Sequence, residues 1–195
     1  MLVLAGGRSR RMGTDKALLP LDGEPLLART VRVAREISPT VAIACLDPDR
    51  YRNCLPPNVR WLPEAQPEGP QGPLAALTRA LPQLESEWLL LLACDLPCLS
   101  PEPLQRWADQ LSGLPPEVAA AVPKTERGWE PLCGFYRTTA VADLRSWLSQ
   151  GRRDFQGWLD SRLVLALPVT DPGLLLNCNT PGEWQAIAAA SEDRH

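Results

Sequence analysis

The chain has 195 residues, 45% of them apolar and 22% charged, and its 20 basic and 23 acidic side chains leave a net charge of −3. That balance belongs to a folded globular protein, long enough for one sizeable core and expected as a single domain over residues 1–195. It excludes a general nucleic-acid binder, which would be basic overall, and no apolar run approaches the roughly 18 residues a membrane helix needs.

Taken in chain order, the apolar pattern opens with a strand at Leu2–Ala5. A helix over Leu26–Ile37 follows, with Leu27, Val31 and Ala34 recurring at helical spacing. Strands are predicted at Val41–Leu46 and Val59–Leu62, a helix over Leu74–Leu84 and a strand at Trp88–Cys94. The last is apolar at nearly every position, as a central strand covered on both faces must be. Then come a helix over Pro101–Leu111, strands at Val118–Val122 and Pro131–Tyr136, and helices over Thr139–Leu148 and Arg153–Leu159. A strand at Leu163–Val169 and a helix over Pro181–Ala190 complete the series. Ser100 before Pro101 reads as an N-cap, and Thr180-Pro181-Gly182-Glu183 has capping-box spacing. The alternation predicts a three-layer, Rossmann-like α/β fold on a mostly parallel sheet. In such sheets ligands bind beyond the carboxyl ends of the strands, so the polar residues after Leu4, Leu62 and Ala93 should line one crevice. Because the chain opens directly on a strand, no signal peptide is expected and the cytoplasm is the expected compartment.

Residue counts remove some chemistry. The one histidine is His195, the final residue, so a nucleophile relay through histidine has no base and His-rich metal sites have no ligands. The six cysteines, Cys45, Cys54, Cys94, Cys98, Cys133 and Cys178, include no CxxC pair and read as reduced, mostly buried thiols.

Chemistry concentrates at the first strand exit, Leu4-Ala5-Gly6-Gly7-Arg8-Ser9-Arg10-Arg11-Met12-Gly13-Thr14-Asp15-Lys16. Paired glycines let backbone N–H groups approach a phosphate. Arg8, Arg10, Arg11 and Lys16 against Asp15 give a local charge of +3 in a chain of net −3, suited to phosphate oxygens. The loop is neither a P-loop nor a GxGxxG turn. Asp95 leaves the central strand at its carboxyl end, where a carboxylate can hold a hard cation or satisfy a turn. Gly72-Pro73 opens a helix after a proline-rich loop over 63–73. Asn177 and Asn179 flank Cys178 and on an extended segment share a face. They either meet a ligand or hydrogen-bond backbone near the Thr180 cap, and both readings stand at this level. The segment 124–129 reads either as a basic flap or as a solvated loop.

The Leu-Ala-Gly-Gly, Arg-Met-Gly and Asp-Lys pattern over residues 4–16 resembles the molybdenum cofactor guanylyltransferases, within the nucleotidyltransferases. The likeness continues in order through Gly72-Pro73-Leu74-Ala75-Ala76-Leu77, Cys94-Asp95-Leu96-Pro97, Glu130-Pro131-Leu132-Cys133 and Asn177-Cys178-Asn179-Thr180-Pro181. The resemblance implies transfer of GMP from GTP to the terminal phosphate of molybdopterin, with Mg²⁺ on Asp95. It implies Asp95, Lys16 and Arg11 as catalytic residues, and a nucleotide site of Leu4, Ala5, Gly6, Gly7, Lys16, Glu64, Gly72 and Asp95. Glu64 stands where the family usually has an Asp, and Asn177 and Asn179 would face the second substrate. The family often ends its second strand with an Asn near the base, whereas Ala44-Cys45-Leu46 has no side-chain amide here. Either backbone groups read guanine, or nucleotide selection is looser. Transient contact with proteins that deliver or receive the cofactor is also implied; nucleic acid and membrane are not. The alternatives are a cytidylyl- or sugar-phosphate nucleotidyltransferase, and a non-catalytic nucleotide- or cofactor-binding protein on the same fold.

Overall fold

The computed structural model describes residues 1–5, 15–63, 72–178 and 180–192. Its strands are β1 (Leu2–Leu4), β2 (Pro20–Leu21), β3 (Glu24–Pro25), β4 (Ala42–Cys45) and β5 (Arg60–Pro63), then β6 (Trp88–Ala93), β7 (Val118–Thr125), β8 (Gly128–Trp129), β9 (Cys133–Arg137) and β10 (Leu163–Leu167). The helices are α1 (Leu26–Ile37), α2 (Pro73–Ala80), α3 (Pro101–Asp109), α4 (Val141–Ser149), α5 (Phe155–Asp160) and α6 (Pro181–Glu192). One sheet runs in the order β10-β7-β9-β6-β1-β4-β5, with β8 appended to β7. Its pairings are parallel except where β9 inserts antiparallel between β6 and β7, and where β8 folds back on β7.

Strand alternation assigns the two faces. Val3, Ile43, Leu90 and Leu92 pack with Leu27, Val31 and Ala34 of α1 and with Leu104 and Trp107 of α3. Leu2, Ala42, Leu89 and Leu91 turn the other way, onto Leu74 and Leu77 of α2, Leu144 of α4, and Phe155 and Trp158 of α5. The expected three layers are therefore present. The near-continuous apolar run of β6 reflects burial on both sides, every residue from Leu89 to Ala93 being buried.

All seven predicted strands and six predicted helices occur, with ends moved by proline and caps. Pro82 has no N–H for the carbonyl of Thr78, so the helix predicted to Leu84 stops at Ala80 and continues as a 3₁₀ turn, Leu81–Gln83. Asp154 accepts from Gly157 N–H and fixes the start of α5 at Phe155 rather than Arg153. Ser100 occupies the N-cap of α3 but makes no side-chain cap bond; the third helical residue is Pro103, which has no N–H to offer. The Thr180 box forms reciprocally, its Oγ1 accepting from Glu183 N–H at 3.2 Å and its own N–H reaching Glu183 Oε2 at 2.9 Å. The β2–β3 hairpin was not predicted. Asp22 and Gly23 both have positive φ, 52° and 78°, as a two-residue hairpin turn requires, but two-residue strands leave no alternation to read. The 124–129 segment is a short β7–β8 hairpin, with Lys124 stacked 4.5 Å from the centroid of the Trp129 ring. Gln156 donates to Trp129 O and accepts from Trp129 N–H, so the hairpin is tied down rather than a free flap. All six cysteines are unbridged thiols, and Cys45, Cys94, Cys133 and Cys178 are buried.

Trp158 is wholly buried, and its indole N–H donates to Asp143 Oδ2 at 2.7 Å. Trp158→Ala should destabilise the fold by about 3–5 kcal/mol, measured by urea unfolding. Hydrogen bonding from Arg162, then from Trp158, holds the Asp143 carboxyl below its ordinary value of 3.8. A depressed carboxylate pKa contributes stability above the unfolded value that is lost as pH falls through the folded value. Asp143→Asn should therefore lower stability at pH 7, and its difference from the parent should shrink below about pH 4 as the parent's carboxylate protonates.

Candidate active site

The strand order reverses beside β1. The chain leaves β1 through α1 for β4 and β5 on one side, then returns through α2 to β6 on the other. A crevice opens at the carboxyl end of such a switch point. Here the switch point lies between the ends of β1, β4 and β6. Cys94 N–H extends the β6–β1 pairing to Leu4 O at 3.3 Å, and Ala5 N–H reaches Ala44 O at 2.9 Å. Leu4 and Ala5 thus offer the crevice a sheet-bonded backbone, and the Ala44 carbonyl, a candidate base reader, already accepts from Ala5.

Asp95 follows β6 at this edge. Arg29 of α1 donates from Nε to Pro97 O at 3.0 Å, fixing the turn after Asp95. The Asp95 carbonyl accepts from Cys178 N–H at 3.1 Å, so the segment before α6 is bonded to the same turn. Antiparallel β9 starts at this edge, where Leu132 O accepts from Ala93 N–H at 2.8 Å. Segments far apart in sequence, around positions 4, 95, 132 and 178, therefore meet at one end of the sheet.

Lys16 arrives from a 3₁₀ turn, Lys16–Leu18, and places Nζ 3.3 Å from Asp95 Oδ2. The two side chains are 16% and 21% exposed, dry enough to attract one another and wet enough for a ligand to reach both. Asp15 caps that turn, with Oδ1 accepting from Ala17 N–H at 3.2 Å. Its Oδ2 accepts from Tyr51 Oη at 2.8 Å and pairs with Arg50 at 3.0 Å. Asp15, Arg50 and Tyr51 are not among the expected site residues. Asp15 carries a faint signal, an acid one residue before a short turn, but nothing local marks Tyr51, which lies 36 residues further along.

Gly72 is the N-cap of α2 at φ 84°, ψ 171°, a region essentially closed to residues with a Cβ. A Cβ there would meet no atom within 4 Å, so backbone angle alone demands the glycine. Helix α2 runs back from this edge, which puts its N-terminus on the crevice side. Asn177 is exposed and Cys178 buried, in keeping with a side chain that alternates away from the core. Gly6, Gly7, Arg8, Arg10, Arg11, Glu64 and Asn179 lie outside the described residues.

Among the described residues no three His, Cys, Asp or Glu side chains cluster as a metal cage. Asp95 fits a different arrangement, in which one carboxylate and phosphate oxygens share a hard cation. A carboxylate and an ammonium facing one another at a switch point form a pair suited to a metal-bound polyphosphate.

The model of the MobA-like NTP transferase domain matches residues 1–163. The chain belongs to the MobA-like NTP transferase family. Within it, the chain is 57% identical to a probable molybdenum cofactor guanylyltransferase of Synechococcus elongatus, over 95% of this chain and 96% of that one. It is 45% identical to a probable molybdenum cofactor guanylyltransferase of Nostoc, over 98% and 91%. In fold it matches molybdopterin-guanine dinucleotide biosynthesis protein A of Archaeoglobus fulgidus, with a TM-score of 0.75, 24% identity and 98% of both chains covered. A MobA-like transferase of this fold is a nucleotidyltransferase.

Gly72→Ala in this transferase should cost about 1–3 kcal/mol through backbone strain. Thermal unfolding measures the loss, and an unchanged midpoint would mean that the chain relaxes out of the left-hand region at no cost.

Proposed function

We propose that the chain transfers GMP from GTP to the terminal phosphate of molybdopterin, forming the guanine dinucleotide and releasing pyrophosphate. The observation that carries this reading is the meeting of Lys16 and Asp95 at the switch point of a chain that shares 57% of its residues with a probable molybdenum cofactor guanylyltransferase.

The attacking group needs no strong base. A phosphate monoester has a second pKa of about 6 and is already largely anionic near neutrality. One of its oxygens forms a bond to the α-phosphorus of GTP, the bond from that phosphorus to the β-bridging oxygen breaks, and pyrophosphate leaves with the electron pair. Catalysis is then alignment and neutralisation of charge. Lys16 supplies a point charge for phosphate oxygens, and Arg11, with Arg8 and Arg10, is assigned the same work from the sequence. Asp95 would hold Mg²⁺, which neutralises phosphate charge when bound. Gly6, Gly7, Glu64 and Gly72, with the backbone of Leu4 and Ala5, are assigned to the nucleotide, and Asn177 and Asn179 to the second substrate. No helix among the described residues is long and apolar enough to cross a membrane; a cytoplasmic enzyme supplied by molybdopterin-carrying proteins is part of this proposal.

Pyrophosphate release with molybdopterin and Mg²⁺ should be fastest from GTP when GTP, CTP, UTP and ATP are compared. A preference for CTP would reassign the chain to cytidylyl transfer, and tight GTP binding without release would make it a binding protein. Asp95→Ala should abolish turnover in a folded chain, and near-parental rates would remove the metal assignment. Lys16→Ala should slow turnover by about tenfold to a thousandfold, measured under saturating GTP.

A further inference from the structure

We propose that Tyr51 is a positioning residue for the transfer reaction, acting through Asp15 to hold Lys16 at the mouth of the crevice. The inference rests on the proposed function for its kinetic consequence, and on the geometry alone for its structural one.

Tyr51 lies between β4 and β5, in the joint of two 3₁₀ turns, Pro48–Arg50 and Arg52–Cys54. It is only 2% exposed and belongs to the core beneath α1. Its N–H reaches Pro48 O at 3.0 Å, and its carbonyl accepts from Cys54 N–H at 3.2 Å. Ring and backbone are therefore fixed independently of the site. The hydroxyl is the one polar atom of this packed side chain, and it donates to Asp15 Oδ2 at 2.8 Å. Burial first, then the Asp15 carboxylate, raises its pKa, so it remains a donor throughout the neutral range.

Asp15 passes the constraint on. Its Oδ2 also meets Arg50 at 3.0 Å, and its Oδ1 accepts from Ala17 N–H. The adjoining carbonyls are engaged as well, Asp15 O by Leu18 N–H and Lys16 O by Leu19 N–H, each at 3.1 Å. The residue before Lys16 and the turn after it are thereby clamped to a core tyrosine. A lysine side chain has four flexible carbons and about 2 kcal/mol of rotamer entropy, so fixing its backbone lowers the cost of presenting Nζ to a phosphate. This is pre-organisation supplied by the segment linking β4 and β5, which carries none of the family motifs quoted above.

The test compares Tyr51→Phe with the parent. In turnover, kcat should fall about three- to thirtyfold, part of the value of one charge-assisted hydrogen bond because Tyr51 acts through Asp15, while KM for GTP stays within about twofold. In a Lys16→Ala background the same change should cost nothing further. The second readout needs no substrate. The chain has two lysines, Lys16 and Lys124, so acetylation of the intact protein, resolved by mass spectrometry, gives Lys16 reactivity against an internal reference. Loss of the Tyr51 hydroxyl should change the Lys16-to-Lys124 labelling ratio by about threefold or more. Should Tyr51→Phe fold poorly, Asp15→Asn keeps Oδ1 for Ala17 but removes the charge from the group facing Tyr51 Oη and from the Arg50 pair, and should move kcat and the labelling ratio in the same direction. Parental kcat, an equal loss in the Lys16→Ala background, or an unchanged labelling ratio would each overturn the proposal. A parent enzyme inactive with GTP would count against the proposed function, and the labelling ratio would still decide the role of Tyr51.

Discussion

The ion pair between Lys16 and Asp95 is the contact around which the rest of the molecule is organised. It joins Lys16, at the start of the 3₁₀ turn before β2, to Asp95, two residues beyond β6 and 79 positions later. The two side chains meet because β1 and β6 are parallel neighbours whose carboxyl ends coincide, with Leu4 opposite Ala93. In the proposed reaction the ammonium would meet a phosphate oxygen and the carboxylate a cation. Partial burial raises their attraction above that of an exposed pair, while the remaining exposure leaves both accessible to exchange for substrate.

The support around that pair is mostly backbone. Cys94, Ala93 and Cys178 each donate a backbone N–H, to Leu4 O, Leu132 O and Asp95 O, and so lock the turn at Asp95 to β1, the approach to β9 and the segment before α6. Such bonds are insensitive to side-chain identity. Side chains contribute on both sides of the pair. Arg29 reaches the turn after Asp95, and Tyr51 and Arg50 reach Asp15.

The opposite edge of the sheet shows a different economy. Arg137, 5% exposed, donates to the carbonyls of Val118, Leu114 and Pro115, pairs with Glu87 and stacks 4.2 Å over Trp88. Its charge is consumed by these partners and ties β9 to the entry of β6 and β7. A buried arginine so satisfied is a structural joint, and it lies at the end of the strands away from the crevice.

Much of this protein is determined locally and was therefore legible in its residues. The apolar run of β6 demanded a central strand, helical spacing gave α1 its observed ends, and the Thr180 box formed with both of its bonds. Gly72-Pro73 marked the start of α2. The motifs after β1 and β6 pointed to a phosphate-binding crevice because charge and glycine were concentrated at strand exits. Tertiary structure alone decided three things. It reversed β9 within a parallel sheet, it brought Asp15 under Tyr51, and it set Lys16 against Asp95. The physical reason is range: periodicity, caps and backbone angle act within a few residues, whereas a hydrogen bond between residues 15 and 51 or 16 and 95 exists only once packing has chosen which strands are neighbours.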